Sequence, residues 1–303
     1  LRFIKEFLAL LPHYECSLLF YFVGVSLGHL RAKQNQMVCD LRTGNVRSSR
    51  FRRWFFDAIT YLELLTFRNK SFISRGLAQH FGMGNHHILP LGSSITPATE
   101  RSYEHLHLFY VGTFSDRRMH EAIAGFGQFY QEHKDVINCQ FTVVGSGNEE
   151  EEALIQAAIE QYALRDIVHL KGYVRRDLIG PFLQAANLGL SYTPITKYFD
   201  YQPVTKTYEY LLAGLPVLAT ATSENELVVS SNNGVLVRDN PAAVAEGLKS
   251  FYAKRNTFNT FAIQEDAKRY TYERIVEDNL APYLLNINQH HPPRVIRSKT
   301  SEL

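Results

Sequence analysis

The chain has 303 residues with 45% hydrophobic content and a formal net charge of +2. This length is enough to bury large cores and favours two domains, whereas the near-neutral charge selects no class of partner. Three cysteines, Cys16, Cys39 and Cys139, lie far apart without metal-ligand spacing. They argue against a disulfide framework and a structural metal, and they indicate reduced thiols in a cytoplasmic protein.

The first 25 residues argue against a signal peptide and a transmembrane helix. Leu1 to Leu11 is apolar but contains Arg2, Lys5 and Glu6, which interrupt the core that a signal peptide needs. The strongest apolar run, Cys16 to Val25, has about ten residues, half of what a membrane-spanning helix requires. We predict a buried strand there. Because the chain begins with Leu rather than Met, we expect a fragment.

The region up to about Pro97 contains few regular elements for its length. Its predicted helices are Arg2 to Leu11, Arg50 to Phe67 and Ser74 to Phe81, and its predicted strands are Cys16 to Val25, Met37 to Leu41, Lys70 to Ile73 and His87 to Leu91.

From Leu108 onward, strands and helices alternate with short turns, as in a doubly wound parallel sheet. The predicted strands are Leu108 to Gly112, Gln140 to Gly145, Ile167 to Gly172, Leu188 to Thr193, Pro216 to Ala221 and Gly234 to Arg238. The predicted helices are Arg118 to Glu132, Glu149 to Leu164, Arg175 to Ala186, Pro203 to Ala213 and Pro241 to Tyr252. Three of the strand exits carry a glycine, which is typical of tight turns beneath a ligand site.

A polar, Pro-containing linker from Gly92 to about Glu104 separates the two regions. We therefore predict a first domain over residues 1–97, a second over 98–262, a final helical segment over 263–287 and a disordered tail over 288–303. The tail contains His-His-Pro-Pro and little apolar periodicity.

The segment from Pro203 to Thr220 is the most informative part of the chain. Pro203 suits a helix start, Gly214 suits the residue after a helix, and Pro216 prevents continuation into the strand that follows. Strand, short helix and strand make a βαβ unit, in which the helix start directs free backbone N–H groups at a bound anion. Glu209 lies within this helix among apolar neighbours, where a carboxylate needs a partner. The alternative is an exposed, solvated Glu.

Residues Lys206-Thr-Tyr-Glu209-Tyr-Leu211, followed by Ala-Gly-Leu-Pro-Val, resemble the donor-binding element of the family-4 retaining glycosyltransferases. The usual form has a first carboxylate eight residues before this Glu. Here Tyr201 occupies that place, with Asp200 one residue earlier. The resemblance implies an α/β GT-B fold, in which two Rossmann-like domains flank a cleft. The family's opening strand and glycine-rich loop have no counterpart here, so the N-terminal domain is expected to be incomplete. The segment around Arg269 to Glu273 is similar to the family's closing helix, which returns to the first domain.

The resemblance also implies roles for individual residues. Glu209 would hold the ribose of a nucleotide-sugar, and Lys206 with Arg117 or Arg118 would hold its diphosphate, because Thr113 stands where Arg is common. We predict Glu209, Lys206 and Arg118 as the catalytic group, and the donor-binding residues as Gly112, Thr113, Arg117, Tyr173, Asp200, Tyr201 and Thr205. The alternatives are a solvated helix start for Arg117 and Arg118, and ordinary packing for Tyr173.

Asp40 and Arg42 follow a predicted strand of the first domain, at a position that bears acceptor-side groups in the family. A structural salt bridge explains this pair equally well. Arg47, Arg50, Arg52 and Arg53 precede three consecutive aromatic residues, a pattern that suits anionic lipid or a lipid-linked acceptor. The alternative, favoured by the sequence, is a helix whose arginines are solvated and whose aromatics form core. The aromatic residues are Trp54, Phe55 and Phe56.

The implied activity is transfer of a hexose from a nucleoside-diphosphate sugar to a glycan or lipid-linked acceptor, with retention of configuration and without metal or another cofactor. We further expect a role in polysaccharide assembly, a cytoplasmic location, and peripheral contact with the inner face of an anionic membrane. Nucleic acid is not an expected partner, because no recognised nucleic-acid-binding motif accompanies the basic run. The alternatives are a non-catalytic nucleotide-sugar-binding subunit and, less favoured, an epimerase of the same fold. Motifs for hydrolase or metalloenzyme chemistry are absent from the sequence.

Overall fold

The structure is a computed structural model that describes residues 6–7, 9–14, 16–31, 36–45 and 49–290. Arg47, most of the predicted tail, and the start of the predicted helix Arg2 to Leu11 lie outside the described residues. The chain divides into two compact units, Leu1–Pro90 with Ile275–Leu303, and Leu91–Arg274. The boundaries predicted at residues 97 and 262 stay predictions about folding domains.

The first unit contains a four-stranded parallel sheet in the order β1-β2-β3-β4. The strands are β1 Cys16–Phe20, β2 Gln36–Leu41, β3 Asn69–Phe72 and β4 His87–Ile88. The helices are α1 Val25–Arg31, α2 Arg50–Thr66, α3 Arg75–His80 and, from the far end of the chain, α13 Ala281–His290. Ser49 and Ser74 cap α2 and α3 through their side chains, as expected where a Ser precedes an amphipathic run.

The apolar run after Cys16 does not continue as one strand to Val25, so that prediction is wrong. The strand ends at Phe20, and Gly24 turns the chain with a φ of +95° before α1 begins at Val25. Glu63 of α2 fixes this turn, because its carboxylate accepts hydrogen bonds from Tyr21 Oη and the Gly24 N–H. Hydrophobicity alone could not reveal a turn held by a carboxylate about forty residues later.

The second unit contains a six-stranded parallel sheet in the order β10-β9-β8-β5-β6-β7. The strands are β5 Leu106–Val111, β6 Cys139–Val144, β7 Val168–Leu170, β8 Leu188–Ser191, β9 Val217–Thr220 and β10 Gly234–Val237. The helices are α4 Met119–His133, α5 Glu149–Gln161, α6 Gly180–Ala185, α7 Lys197–Asp200, α8 Thr205–Leu212, α9 Ser223–Glu226, α10 Pro241–Lys254, α11 Thr260–Ala267 and α12 Tyr272–Ile275. The α/β class with parallel sheets is confirmed.

Local sequence signals set several of these boundaries. Asn148 forms a capping box with Glu151 at the start of α5, and Asn240 caps α10 immediately before Pro241. The segment predicted as one helix from Arg175 to Ala186 is a 3-10 turn followed by α6. The predicted helix start at Pro203 is two residues early, because α8 begins at Thr205.

Buried aromatic and aliphatic side chains form the core of the second unit, including Phe109, Phe126 and Phe141. All three cysteines are free thiols, with Cys39 and Cys139 buried. In the part of the chain that the structure describes, no helix is long and apolar enough to cross a membrane.

Candidate donor site in the second unit

The strand order places a ligand site at one end of the second sheet. From β5, the chain proceeds to β6 and β7 on one side and then returns to β8, β9 and β10 on the other. Ligands of open parallel sheets bind outside the carboxyl ends of strands where the order reverses, here between β5 and β8. A cavity of about 850 Å³ lies at this edge. Its lining includes Gly112, Thr113, Gly145, Tyr173, Arg176, Thr205, Lys206 and Glu209.

Two glycines allow the backbone to approach the cavity. Gly112 follows β5 with a φ of +145°, and Gly145 follows β6 with a φ of +147°. A Cβ on Gly145 would lie 1.9 Å from the Gly112 carbonyl oxygen, and a Cβ on Gly112 would lie 2.8 Å from Lys206 Nζ. Both positions therefore require glycine, since a side chain would displace either the turn or the lysine.

A buried polar network fixes the rotation of α8. Thr207 donates a hydrogen bond of 2.9 Å to Asn225 Oδ1 and lies 2.7 Å from Ser191 Oγ. Three residues after Thr207, the Tyr210 hydroxyl accepts a 3.1 Å hydrogen bond from the Val111 N–H at the end of β5. With these contacts holding the inner face of the helix, Lys206 and Glu209 line the cavity one turn apart.

Lys206 is a buried cation beside the Gly112 turn. Only 9% of its surface is exposed, and its Nζ lies 4.8 Å from the centroid of the Tyr110 ring. Burial and, to a smaller extent, the charge of Arg117 together lower the pKa of Lys206 to about 7, and the charge of Glu209 opposes this shift. A lysine with this pKa gains its charge most readily when an anion binds.

Glu209 lies where its carboxylate is partly sheltered from water. Burial raises its pKa, and the charges of Arg176 and Lys206 pull it back down. Arg176 Nη2 lies 3.4 Å from Glu209 Oε1, but the arginine side chain is 74% exposed, so this contact contributes little. The carboxylate keeps most of its capacity to accept hydrogen bonds from a ligand.

The two predicted arginines after Gly112 have different surroundings. Arg117 stacks on Phe199 with its guanidinium carbon 4.3 Å from the ring centroid. Among the described residues, its buried Nε and Nη1 atoms have no hydrogen-bond acceptor. Arg118 occupies the N-cap position of α4 in a left-handed conformation without a side-chain capping bond, and its Nη1 lies within 3.9 Å of Glu121 and Asp239 carboxylate oxygens. Of the two, Arg117 is the one whose charge acts on Lys206, although neither arginine belongs to the cavity lining.

The remaining predicted donor residues separate into two groups. Thr113, Tyr173 and Thr205 line the cavity together with Gly112, and Tyr173 is 78% exposed. Asp200 and Tyr201 do not line it. The Asp200 carboxylate accepts hydrogen bonds from the N–H and hydroxyl of Ser223, which ties the end of α7 to the start of α9.

Asp40 and Arg42 belong to the first unit. Asp40 is completely buried and accepts a 2.7 Å hydrogen bond from Ser71, and Arg42 Nε lies 3.7 Å from its second oxygen. Arg42 also donates to the Leu89 carbonyl. This is the geometry of the salt-bridge alternative, and the acceptor-side role stays a prediction.

Sequence reasoning did not identify Arg176 or Tyr210 as parts of this site. Arg176 follows β7 in a 3-10 turn that carries no motif, and the role of Tyr210 depends on the adjacent β5. Metal ligation has no evident place here: the described residues contain no group of three or more His, Cys, Asp or Glu that could hold an ion.

Comparison with known proteins identifies the second unit. Residues 105–254 match the profile of the family described as glycosyl transferases group 1. The chain carries a group 1 glycosyl transferase domain. This confirms that the motif around Glu209 belongs to a group 1 glycosyl transferase domain, whereas retention of configuration and membership of family 4 stay predictions. A search of curated protein sequences finds no significant match.

Solved structures of this fold class match nearly the whole chain. Sucrose-phosphate synthase from Thermosynechococcus elongatus has a TM-score of 0.73 at 16% identity, covering 95% of this chain and 78% of that one. HepE from Anabaena, solved with UDP, has a TM-score of 0.74 at 15% identity, covering 94% and 82%. The galactosyltransferase WaaB has a TM-score of 0.68 at 14% identity, covering 93% and 79%. At such identities the likeness establishes the GT-B fold class.

Proposed function

We propose that this glycosyl transferase domain moves a hexose from a nucleoside-diphosphate sugar to a glycan or lipid-linked acceptor, with retention of configuration and without a metal. The observation that carries the proposal is the placement of Lys206 and Glu209 one turn apart on a large cavity at the strand-order reversal. The HepE structures with UDP, and with UDP and glucose, support a nucleotide-sugar as the donor.

Lys206 and Arg117 are the groups that we propose for the diphosphate. Two buried cations in close proximity repel each other, and a bound diphosphate removes this repulsion while supplying the acceptors that Arg117 lacks. The free N–H groups at the start of α8 add donors on the same side, because its N-cap Val204 offers no side-chain cap. The sequence alone left the diphosphate-binding role open between Arg117 and Arg118, and the proposal gives it to Arg117.

Glu209 is the residue that we propose for the ribose. A carboxylate that accepts hydrogen bonds from two vicinal hydroxyls gains a bidentate, charge-assisted contact, which sets the position of the nucleoside against the turn after β6. We also propose that Tyr173, an exposed residue of the cavity lining, covers the base. Thr205, the one of the three predicted residues of this loop that lines the cavity, would then face the sugar, and no donor contact is proposed for Asp200 or Tyr201.

For the transfer step, the bond between the anomeric carbon and the diphosphate oxygen breaks, and that oxygen leaves with the electron pair. The acceptor hydroxyl oxygen bonds to the anomeric carbon from the same face, and its proton passes to the departing phosphate oxygen. Lys206 and Arg117 stabilise the negative charge that develops on this leaving group. The described residues need supply no separate base, because the leaving group takes the proton.

A turnover assay tests the proposal. The chain is incubated with uridine, guanosine and adenosine diphosphate hexoses, and release of the nucleoside diphosphate is measured with and without candidate glycan acceptors, with NMR reporting the anomer. We expect release with one nucleotide, and its loss in Glu209→Gln but not in Glu226→Gln, an exposed glutamate outside the cavity lining. Equal activity of both variants would contradict the assigned site.

The second candidate is a non-catalytic nucleotide-sugar-binding subunit. Tyr201 favours it, because a tyrosine replaces the first acid of the resembled motif and its ring lies near that of Tyr198, 6.2 Å between centroids. Donor binding without any release of nucleoside diphosphate would select this candidate. Conversion of the donor to another sugar without an acceptor would select the epimerase.

A further inference from the structure

The first unit has a cavity of its own at the amino ends of β3 and β4. Because these two strands are parallel, their starts meet at one edge of the sheet. The cavity has a volume of about 350 Å³ and lies between these starts and α13. Its described lining contains no Asp or Glu, but it contains three asparagines and four basic residues: Arg68, Lys70, His86 and His87. The predicted acceptor-side residue Asp40 lies at the opposite, carboxyl end of the parallel strand β2.

Lys70 is a buried cation without a carboxylate partner. Only 9% of its surface is exposed, and its Nζ donates a 2.6 Å hydrogen bond to the Phe67 carbonyl oxygen. The other two N–H bonds of this ammonium have no acceptor in the described part of the chain. Neither Lys70 nor the other three basic residues forms an ion pair with a described Asp or Glu. A buried ammonium in this state is stabilised by an anion.

The two histidines each have one ring nitrogen bonded to the backbone. His86 Nδ1 lies 2.7 Å from the Met83 carbonyl oxygen, and His87 Nε2 lies 3.1 Å from that of Asn279. Because a carbonyl oxygen can only accept, these two nitrogens carry hydrogens. The other ring nitrogen of each histidine has no partner among the described residues. It can take up a proton and donate to an anion.

Tyr283 of α13 connects the two strand starts. The His87 ring stacks on the Tyr283 ring, with 4.2 Å between centroids and 7° between planes. The Tyr283 hydroxyl donates a 3.2 Å hydrogen bond to the Lys70 carbonyl oxygen. These contacts hold the His87 ring and the backbone of Lys70 in place in the unliganded protein, so a ligand has less conformational freedom to remove.

We infer that this cavity binds a small phosphate-bearing anion, either free phosphate or a phosphate monoester. The arginine supplies a planar fork and the lysine a point charge, and both are common partners of phosphate oxygens. Four basic groups without an acid suit a dianion better than a singly charged carboxylate. The volume is near the lower end of the range for ligand pockets, about 300–1,000 Å³, which suits a monophosphorylated sugar better than a nucleotide-sugar. The site is independent of the proposed donor site, because all of its lining belongs to the first unit.

Histidine ring signals provide a local test of binding. The full chain, labelled with nitrogen-15 at histidine, is titrated with inorganic phosphate, glucose 6-phosphate and glucose at constant ionic strength. His86→Gln and His87→Gln assign the two signals among the twelve histidines of the chain. We expect both signals to shift with a phosphate-bearing ligand and to stay in place with glucose. Binding of glucose 6-phosphate at least about threefold tighter than phosphate identifies a monoester, and the reverse order identifies the free anion.

Variants connect the shifts to the charges of the cavity. Arg68→Gln should weaken binding about tenfold through loss of charge-assisted hydrogen bonds, and Lys70→Met should weaken it at least as much. Arg68 is exposed, so its replacement keeps the test valid if Lys70→Met does not fold. Arg75→Gln is the matched control, because Arg75 is an exposed arginine of the same unit outside the lining. Arg117→Gln, in the other unit, should leave the shifts of His86 and His87 unchanged.

Three results would overturn the inference. One is the absence of a shift at His86 and His87 with millimolar concentrations of either phosphate-bearing ligand. Another is an equal shift with sodium acetate at the same ionic strength, which would reveal a response to any anion. The third is equal affinity in Arg68→Gln and Arg75→Gln, both shown to be folded by circular dichroism, since the charge at the cavity would then have no role.

Discussion

Donor affinity should depend on pH through Lys206. The pKa of this buried lysine is about 7 in the unliganded protein, against 10.5 for an ordinary lysine. One pH unit above the pKa, about 90% of a group is uncharged. If the diphosphate binds the charged form, the dissociation constant rises about tenfold for each pH unit above 7, or about 1.4 kcal/mol per unit.

Stability should change in the opposite direction. The folded state holds Lys206 with a lowered pKa, so between about pH 7 and pH 10 the unfolded chain binds more protons than the folded one. The free energy of unfolding of the unliganded protein therefore gains a contribution as pH rises through this window, and loses it as pH falls back from about 10 to about 7. Weaker donor binding combined with a more stable protein distinguishes this cause from general alkaline unfolding.

Calorimetry between about pH 6 and pH 9 measures how the dissociation constant of the donor depends on pH. A nucleotide-sugar is the suitable ligand, because its diphosphate diester does not itself titrate in this range. In buffers of different ionisation enthalpy, binding near pH 8 should take up close to one proton. Lys206→Arg, charged at every pH used, should remove both the slope and the proton uptake. A flat dissociation constant in the wild-type chain, or an unchanged slope in Lys206→Arg, would refute the reasoning.

Three further predictions concern affinity and folding. Glu209→Gln should weaken nucleotide-sugar binding about tenfold through loss of charge-assisted hydrogen bonds, which calorimetry on the chosen donor would detect. Tyr210→Phe should lower the free energy of unfolding by about 1–2 kcal/mol in urea titrations, because the Val111 N–H loses its acceptor; an unchanged midpoint would count against that contact. Gly145→Ala should lower the free energy of unfolding by more than about 3 kcal/mol, because the new Cβ would meet a carbonyl oxygen. Gly172→Ala should lower it by only about 1 kcal/mol, because this glycine has a φ of +64° but open space around it. Equal shifts of the melting temperature in the two variants would be inconsistent with the turn after β6.

Much of the second unit could be predicted from sequence, because its signals are local. Asn148, Asn240 and Pro241 specify helix starts within one turn, and the alternation of short apolar strands with helices leaves one plausible architecture. The motif around Glu209 located the cavity because the helix start, the carboxylate and the glycine turns share one sheet edge.

The first unit was less predictable because its determining contacts are distant in sequence. Nothing between Cys16 and Val25 reveals that Glu63 holds a turn there. The sequence also favoured a core position for the aromatic residues of α2, and this was wrong for Trp54 and Phe55, which are exposed. Apolar periodicity shows which residues share a face of a helix but not which face is buried. Near the candidate donor site, Arg117 and Arg118 are equivalent as sequence, and they differ only in the folded chain: Arg117 stacks on Phe199, whereas Arg118 lies beside the Glu121 and Asp239 carboxylates.

The most direct test of the central claim is calorimetric titration of the unmodified chain and of Glu209→Gln with uridine, guanosine and adenosine diphosphates and their hexose conjugates. The account predicts that one nucleotide series binds the unmodified chain and that its affinity falls about tenfold in the variant. Failure of every nucleotide to bind the folded chain, or binding that Glu209→Gln leaves unchanged, would contradict a donor site at Lys206 and Glu209.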